Sequence, residues 1–391
     1  MFTLILLAGV SAMSMSVFLP SLPRMTTFFD TDYAIMQLAV SAYLACTALI
    51  QVFVGPLSDK FGRRPVVLGS LGIFVLSTIG CYFSTSVEMF LGFRMLQAAV
   101  AVGMVTSRAI VRDMVPQDEA ASMIGYVTMG MALVPMFAPM IGGALDQAFG
   151  WHAVFIFMAL FGTALAILCY FDQGETISSK GLSFREQARQ YPELFASRRF
   201  WGYVFAAAFS SGAFFAFLGG APFVATELYG LAPDLAGVFF GVPALGYAAG
   251  NFISGRYSVR FGINPMIVAG AAILTFGMAM SLITSYAGLG SNLQFFGFCI
   301  FVGLGNGLVL PNSTAGMLSV RPHLAGTASG IGGAIMIGGG AALSSIAASR
   351  LSISSGTYPL QWIMLLTSIC ALVSILYVLR RERVVEASGT L

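Results

Sequence analysis

Residues 55–65, Gly-Pro-Leu-Ser-Asp-Lys-Phe-Gly-Arg-Arg-Pro, return in altered form at residues 255–265, Gly-Arg-Tyr-Ser-Val-Arg-Phe-Gly-Ile-Asn-Pro. Both glycines, the phenylalanine before the second glycine and the closing proline recur at an offset of 200 residues. Each copy lies between two long apolar segments. A repeat of this kind indicates that the chain is built from two related structural units.

The composition identifies the solvent of these units. Of the 391 residues, 58% are hydrophobic and 9% are charged, and the mean hydropathy is +0.87. Soluble domains carry about 25% charged residues. Apolar runs of about 20 residues, the length that crosses a bilayer as a helix, recur along most of the chain. The sequence therefore predicts an all-α membrane protein.

Twelve transmembrane helices fit, in two pseudo-symmetric six-helix bundles. We predict an N-terminal bundle at 1–172, a cytoplasmic linker at 173–200, and a C-terminal bundle with a short cytoplasmic tail at 201–391. The predicted spans are 2–22, 35–55, 65–84, 88–111, 121–145, 152–171, 201–225, 234–254, 264–285, 291–314, 324–348 and 358–380.

The basic residues predict the orientation, because cytoplasmic segments of membrane proteins are rich in Lys and Arg. With both termini in the cytoplasm, only Arg24 and Arg350 lie outside, and Arg94 and Arg108 lie within the fourth span. The other fifteen of the nineteen are cytoplasmic: Lys60, Arg63, Arg64, Arg112, Lys180, Arg185, Arg189, Arg198, Arg199, Arg256, Arg260, Arg321, Arg380, Arg381 and Arg383. We interpret the apolar start as the first span and not as a signal peptide, since it lacks a basic region and a cleavage site.

The sequence lacks the motifs that are typical of several other classes of protein. There is no nucleotide-binding Gly-x-x-x-x-Gly-Lys-Ser/Thr loop, no nucleophile motif, and no metal-ligand spacing among the five cysteines and two histidines. The basic residues are scattered and form no nucleic-acid patch. We predict no enzyme activity and no cofactor.

Four sequence segments resemble those of a known family. Gly55–Arg64 resembles the G-x-L-x-D-R-x-G-R-R signature of the major facilitator superfamily, with Lys60 in place of arginine. Leu19-Pro-Ser-Leu-Pro23 and Ser107-Arg-Ala-Ile-Val-Arg-Asp113 resemble segments of the Bcr/CflA-type drug/proton antiporters. Ala138-Pro-Met-Ile-Gly-Gly143 is similar to the antiporter motif G-P-x-x-G-G. The resemblance implies that the protein exports small amphipathic compounds in exchange for protons. It also implies that the protein works as a monomer in the bacterial inner membrane.

The first motif supplies a gating hypothesis. Its glycines permit a tight turn, and Asp59 can lie near a helix N-terminus, where the helix dipole favours an anion. Arg63 can pair with Asp59 or with Asp113, which would form a latch on the cytoplasmic side. The alternative is a loop that only fixes orientation. The candidate gating residues are Gly55, Asp59, Gly62, Arg63, Arg64, Arg112 and Asp113.

The fifth span has a proline and glycine pattern at Pro135, Pro139, Gly142 and Gly143. Prolines kink membrane helices, and small residues let neighbouring helices approach closely. The pattern is compatible with sliding of the helix during transport and equally with close packing alone.

The fourth span contains two charged residues, which are energetically costly within a membrane. Arg94 and Arg108 fall on nearly the same helical face with Gln97 between them, and a charge within a span is a functional candidate. Arg94-Met-Leu-Gln97 resembles the family's R-x-x-Q motif, which favours a role for Arg94 in coupling or substrate binding. Arg108 can instead extend its guanidinium to the headgroups.

The sequence departs from the family at Ser16, where relatives often carry an aspartate, and no predicted span has an acid near its middle. Either a carboxylate at the rim such as Asp32, Asp113 or Glu227 carries the proton, or Arg94 and Arg108 form a positive cavity in a carrier of small organic anions. Further candidates for the polar path are Asn306 and Asn312, and candidates for its apolar wall are Phe18, Tyr43 and Phe214.

Overall fold

The fold is seen in a computed structural model of the chain. It describes residues 2–114, 127, 134, 137–176, 192–321 and 325–387, without the side chains at 55, 56, 59, 112, 325–327, 329 and 384–387. The described residues form helices and no β-strand, as expected for an all-α membrane protein.

Seventeen described helices, α1 to α17, follow one another. In chain order they are Phe2–Ser16, Leu22–Phe28, Tyr33–Met36, Leu38–Phe61, Arg63–Tyr82, Val87–Gln97, Val102–Met114, 137–149, His152–Asp172, Arg198–Phe223, Pro233–Phe240, Val242–Phe261, Ile263–Thr284, Asn292–Phe298, Ile300–Ser319, Ala325–Arg350 and Tyr358–Ala387. The described residues also contain shorter helical segments. These are 3₁₀ segments at Leu19–Ser21 and Ala98–Ala101, π-helical turns at Val224–Leu228 and Ser285–Leu289, and a helical turn at 192–195.

Many of these helices join end to end into membrane-length elements. Eleven elements among the described residues are long and apolar enough to cross a bilayer, and they match eleven of the twelve predicted spans. Most of the remaining predicted span, 121–145, lies outside the described residues. Its largest described piece belongs to α8 (137–149).

The chain divides into two compact units. One comprises Met1–Phe184 together with Gly230–Gly241, and the other comprises Arg185–Tyr229 together with Val242–Leu391. α11 (Pro233–Phe240) thus packs with the first unit, although it belongs to the second half of the sequence.

The repeated motif has the same backbone course in both units. α4 ends at Phe61 and α5 begins at Arg63, with Gly62 between them at φ +98°. α12 ends at Phe261 and α13 begins at Ile263, with the intervening Gly262 at φ +86°. Only glycine adopts positive φ readily, which explains why this glycine recurs in both copies. The segment expected as a loop, 55–64, is therefore mostly helix, and the turn is confined to one residue.

Glycines also let the helices of the second unit approach to backbone contact. A Cβ on Gly303 of α15 would lie 1.6 Å from the carbonyl oxygen of Pro243 in α12, and one on Gly246 would lie 2.0 Å from that of Ile300. Without a hydrophobic driving force between helices in lipid, such close contact is a main source of packing energy. A core of buried residues that includes Phe200 and Tyr203 fills the same unit.

Candidate functional site

Arg94 is the largest fully buried side chain among the described residues of the protein. It lies in the last turn of α6 (Val87–Gln97), and none of its surface is exposed. Removing a guanidinium from water costs several kcal/mol unless hydrogen bonds and neighbouring groups replace the lost hydration. The surroundings of Arg94 therefore decide what it can do.

Neutral oxygen atoms accept hydrogen bonds from the Arg94 guanidinium. Its Nε donates to the Ala39 carbonyl oxygen at 3.1 Å and its Nη2 to the Ser14 carbonyl oxygen at 2.7 Å. Its Nη1 donates to Ser14 Oγ at 3.1 Å and to Gln97 Oε1 at 2.6 Å. Four of the five N–H groups of the guanidinium thus have protein acceptors. These bonds join α6 to α1 and α4.

Two aromatic rings complete the enclosure. The guanidinium carbon lies 4.3 Å from the ring centroid of Phe18 and 4.0 Å from that of Tyr43. Cation–π contacts of a desolvated arginine contribute about 2 kcal/mol or more each. Phe18 and Tyr43, expected as candidates for an apolar wall, therefore stabilise the buried cation.

Gln97 extends this cluster to α5. Its Nε2 donates to Thr78 Oγ1 at 2.7 Å, and Thr78 Oγ1 in turn donates to the Phe74 carbonyl oxygen at 2.6 Å. Arg94 and Gln97, predicted together from the R-x-x-Q pattern, thus belong to one network. The contributions of Ser14 and Thr78 were not predicted, because hydroxyls within apolar helices give no distinctive sequence signal.

The other predicted polar residues lie apart from this network. Ser16 is buried, and its hydroxyl donates to the Ala12 carbonyl oxygen one turn earlier at 3.0 Å. Arg108 lies two helical segments farther on in α7 (Val102–Met114) and is half-buried. The structure thus brings Gln97 to Arg94, but it does not bring Ser16 to it.

The predicted asparagines of the second unit form separate interhelical bonds. Asn306 Oδ1 in α15 (Ile300–Ser319) accepts from Ser210 Oγ in α10 at 2.8 Å. Asn312 Nδ2 donates to Ser254 Oγ in α12 at 2.8 Å and to the Leu308 carbonyl oxygen at 2.8 Å. Both asparagines are almost fully buried. They connect α15 to two different neighbouring helices.

The signature segment in the first unit contains an ion pair. Arg63 Nε lies 3.1 Å from Asp113 Oδ2 at the end of α7, and Arg63 Nη1 also donates to Ser58 Oγ. Of the two partners expected for Arg63, Asp113 is the one observed; the side chain of Asp59 lies outside the described part. Gly55 and Asp59 lie in α4 by their backbone, and the side chain of Arg112 is likewise not described.

A segment just after α9 joins this ion pair. Thr176 Oγ1 donates to Asp113 Oδ2 at 3.1 Å, the same oxygen that Arg63 contacts. Glu175 accepts hydrogen bonds from the backbone N–H groups of Arg63 and Arg64, at 2.9 and 3.3 Å. Glu175 is therefore the anion at the N-terminus of α5, where the helix dipole favours negative charge. Sequence reasoning missed it, because Glu175 is 112 residues away from Arg63 in the chain.

The predicted antiporter-motif helix is closely packed in its described part. A Cβ on Gly142 of α8 would lie 1.7 Å from the carbonyl oxygen of Val17, and one on Gly143 would lie 2.2 Å from that of Pro233. Pro139 presents its own carbonyl oxygen to Gly237 of α11. Close packing is thus observed for Pro139, Gly142 and Gly143, whereas Pro135 lies outside the described residues.

No described group of three or more His, Cys, Asp or Glu residues is placed to hold a metal ion. A polytopic helical protein with repeated units and buried polar networks between its helices has the architecture of a membrane transporter. The model of the Major Facilitator Superfamily matches residues 4–345, and the chain belongs to this family. Its members are transporters and not enzymes.

Relatives and solved structures agree with this family. The chain is 29% identical to a bicyclomycin resistance protein homolog from Haemophilus influenzae, over 89% of each chain. It is 29% identical to a chloramphenicol resistance protein from Pseudomonas aeruginosa, over 82% of this chain and 77% of the relative. The crystal structure of a D-xylose-proton symporter has a TM-score of 0.75 at 14% identity, covering 96% of both chains, which shows a shared fold. The predicted superfamily, the resemblance to Bcr/CflA-type drug efflux proteins and the helical fold are confirmed.

Proposed function

We propose that the protein exports small amphipathic compounds across the bacterial inner membrane in exchange for protons. The observation that carries the proposal is similarity over more than four-fifths of the chain to proteins named for resistance to bicyclomycin and chloramphenicol. Resistance proteins of a transporter family lower the internal concentration of a drug by moving it out of the cell. Alternating access of two related six-helix units is the general mechanism for such folds.

The hydrogen bonding of Arg94 argues against the alternative, a carrier of organic anions. A cation that binds a substrate anion must offer N–H groups to it. Four of the five N–H groups of Arg94 already donate to Ser14, Ala39 and Gln97, and the rings of Phe18 and Tyr43 contact the guanidinium. This supports Arg94 as a positioning residue that holds α1, α4, α5 and α6 in one arrangement. Gln97 extends that role, and Asn306 and Asn312 take the corresponding role for α15.

The network around Asp113 supports the latch. One carboxylate oxygen connects the ends of α5 and α7 with the segment after α9, through Arg63 and Thr176. Ion pairs with partly exposed partners contribute about 0–1 kcal/mol each. A latch of this strength can hold one conformation and still open during each transport cycle. Asp59 and Arg112 are proposed as further members.

The distribution of basic residues supports a location in the inner membrane with both termini in the cytoplasm. Because a single chain contains both related units, we propose that it works as a monomer. Labelling of single introduced cysteines tests the orientation. Reaction of a cysteine within 173–200 with an impermeant reagent added outside intact cells contradicts it.

Inside-out membrane vesicles test the exchange itself. The vesicles are given an acidic interior, and uptake is measured for neutral chloramphenicol, cationic ethidium and anionic benzoate. We expect uptake of chloramphenicol or ethidium that stops when an ionophore removes the pH gradient. Movement of benzoate alone, without dependence on the gradient, contradicts the proposal and favours the anion carrier.

The latch is tested in the same vesicles. We expect Asp59→Asn to depress gradient-driven uptake while the amount of protein in the membrane stays normal. Asp234→Asn, which neutralises an exposed acid at the start of α11, is the matched control. Full activity of Asp59→Asn refutes a role of Asp59 in the latch.

A further inference from the structure

Asp146 is the only acidic residue with a buried side chain in the part of the chain that the structure describes. It lies near the end of α8 (137–149), just beyond the predicted fifth span, and its side chain has 0% exposure. Buried carboxylates are rare, because an ionised carboxyl group loses its hydration on burial. Asp146 therefore requires an explanation that close packing alone does not give.

One oxygen of the Asp146 carboxyl group has a hydrogen-bond partner and the other does not. Arg24 Nη1 in α2 (Leu22–Phe28) lies 3.0 Å from Asp146 Oδ1 and also donates to the Asp146 carbonyl oxygen at 2.8 Å. Asp146 Oδ2 is buried without a hydrogen-bond partner. Ser21 Oγ is likewise buried without a hydrogen bond of normal geometry, and it lies close enough to Asp146 to influence its pKa. An acceptor oxygen and a hydroxyl thus lie near each other with no bond formed.

The Ser21 hydroxyl is suited to either charge state of Asp146. It can donate to Oδ2 of the ionised carboxylate, and it can accept from the O–H of the protonated carboxyl group. Burial raises the pKa of the Asp146 carboxyl, whereas the Arg24 guanidinium and the Ser21 hydroxyl lower it. Burial favours the protonated form and the half-exposed Arg24 favours the ionised form, so the two forms compete.

Other charged groups on the adjacent elements do not compensate Asp146. Asp234, at the start of α11, is exposed, and the ring of His152 in α9 faces Phe28 and Tyr82 at centroid distances of 5.4 Å. Among the described residues, Arg24 is the one charged group found to act on the Asp146 carboxyl. Arg24 is therefore the cation that opposes the effect of burial on the pKa of this carboxyl group.

Asp146 also lies one helical turn from a close contact between α8 and α11. Gly143, three residues earlier in α8, would place a Cβ 2.2 Å from the carbonyl oxygen of Pro233 in α11. α11 comes from the second half of the sequence but packs with the first unit. A change of charge at Asp146 thus takes place one helical turn from a contact between segments of the two sequence halves.

The rim carboxylates considered from the sequence lack these properties. Asp32 and Glu227 are exposed. Asp113 is partly exposed, and one of its oxygens already contacts Arg63 and Thr176. None of these three side chains is fully buried as that of Asp146 is.

We propose that Asp146, paired with Arg24, is the proton-binding carboxyl group that couples this transporter to the proton gradient. The inference rests on the proposed proton antiport. In each cycle the carboxylate takes up one proton on Oδ2 to form a neutral carboxyl group, which donates to Ser21, and it releases that proton when substrate binds. Arg24 stabilises the ionised form and so sets the pH at which release occurs.

Proton release on substrate addition tests the proposal. Purified protein in detergent is mixed with chloramphenicol or ethidium in weakly buffered solution containing a pH indicator, and binding of the same compound is measured by equilibrium dialysis. We expect the wild type to release protons. Asp146→Asn, which has the same shape and keeps an oxygen for Arg24, should lower release at least tenfold while it still binds the compound.

Matched variants separate the outcomes. Asp234→Asn, Asp32→Asn and Glu227→Gln should release protons as the wild type does. Arg24→Gln should shift the midpoint of proton release to higher pH, because loss of the cation raises the pKa of Asp146, and this measurement serves if Asp146→Asn does not fold. Wild-type release from Asp146→Asn, or an unchanged midpoint in Arg24→Gln, overturns the assignment. A wild type that shows neither proton release nor gradient-driven uptake overturns the proposed antiport itself.

Discussion

Replacing Gln97 with leucine tests whether the buried guanidinium is held by its neighbours as the structure shows. The change removes the Oε1 acceptor, 2.6 Å from Arg94 Nη1, and the donor to Thr78 Oγ1 at 2.7 Å. A hydrogen bond to a charged group contributes about 1.5–3 kcal/mol. A neutral side-chain bond between membrane helices contributes about 0.6 kcal/mol. We therefore expect Gln97→Leu to reduce stability by about 2–4 kcal/mol.

Thermal unfolding of the detergent-purified protein measures this loss. For a unit of about 150–250 residues, 1 kcal/mol changes the melting temperature by about 2–4 °C, so the expected fall is about 4–16 °C. Asn251→Leu is the matched control, because its amide donates only to the Tyr247 carbonyl oxygen in the same helix and the residue is half-buried. The control should change the melting temperature by about 1–2 °C.

A second substitution at the same position isolates the acceptor. Gln97→Glu keeps an oxygen within reach of Arg94 and adds an opposite charge, so it should restore most of the stability lost in Gln97→Leu. If Gln97→Leu melts within about 2 °C of Asn251→Leu, Gln97 does not hold Arg94, and the positioning role of this network is wrong.

Five further substitutions test the contacts described above by melting temperature. Gly303→Ala should destabilise the protein by about 3 kcal/mol or more, because the new Cβ would lie 1.6 Å from a backbone oxygen of α12. Gly297→Ala, with open space around the new Cβ, should be neutral or slightly stabilising. Equal effects of the two substitutions would contradict the backbone contact. Glu175→Ala should cost about 1–2 kcal/mol by removing the acceptor at the start of α5, and an unchanged melting temperature would show that water replaces it. Gly62→Ala should cost more than Gly262→Ala: both have positive φ, but only the former would place a Cβ 2.4 Å from Glu175 Oε2. Equal losses would mean that the Glu175 side chain moves aside freely.

The sequence by itself determined that the chain folds in lipid, that it is an all-α membrane protein, and that its two halves share a repeated motif. Long apolar runs must become helices in lipid, because every backbone polar group needs a partner within its own segment. This is why eleven predicted spans agree with the eleven described elements. Gly62 and Gly262 recur because both positions share one backbone requirement, positive φ, and the repeat is visible in the residues themselves. The family motifs then indicated the superfamily and its drug efflux group.

Tertiary structure decided what each polar side chain does. Arg94 and Gln97 are close in sequence, so their pairing was foreseeable from helical spacing, but Ser14 and Tyr43 reach the same guanidinium from other helices. The carboxylate at the start of α5 comes from Glu175, and the burial of Asp146 depends on how α2 and α8 pack. Hydropathy and spacing describe one helix at a time, whereas burial and pairing depend on which faces of different helices meet. For that reason the sequence could not distinguish Asp146 from the other acids that lie outside the predicted spans, and only the fold showed a buried carboxyl group with one unpaired oxygen.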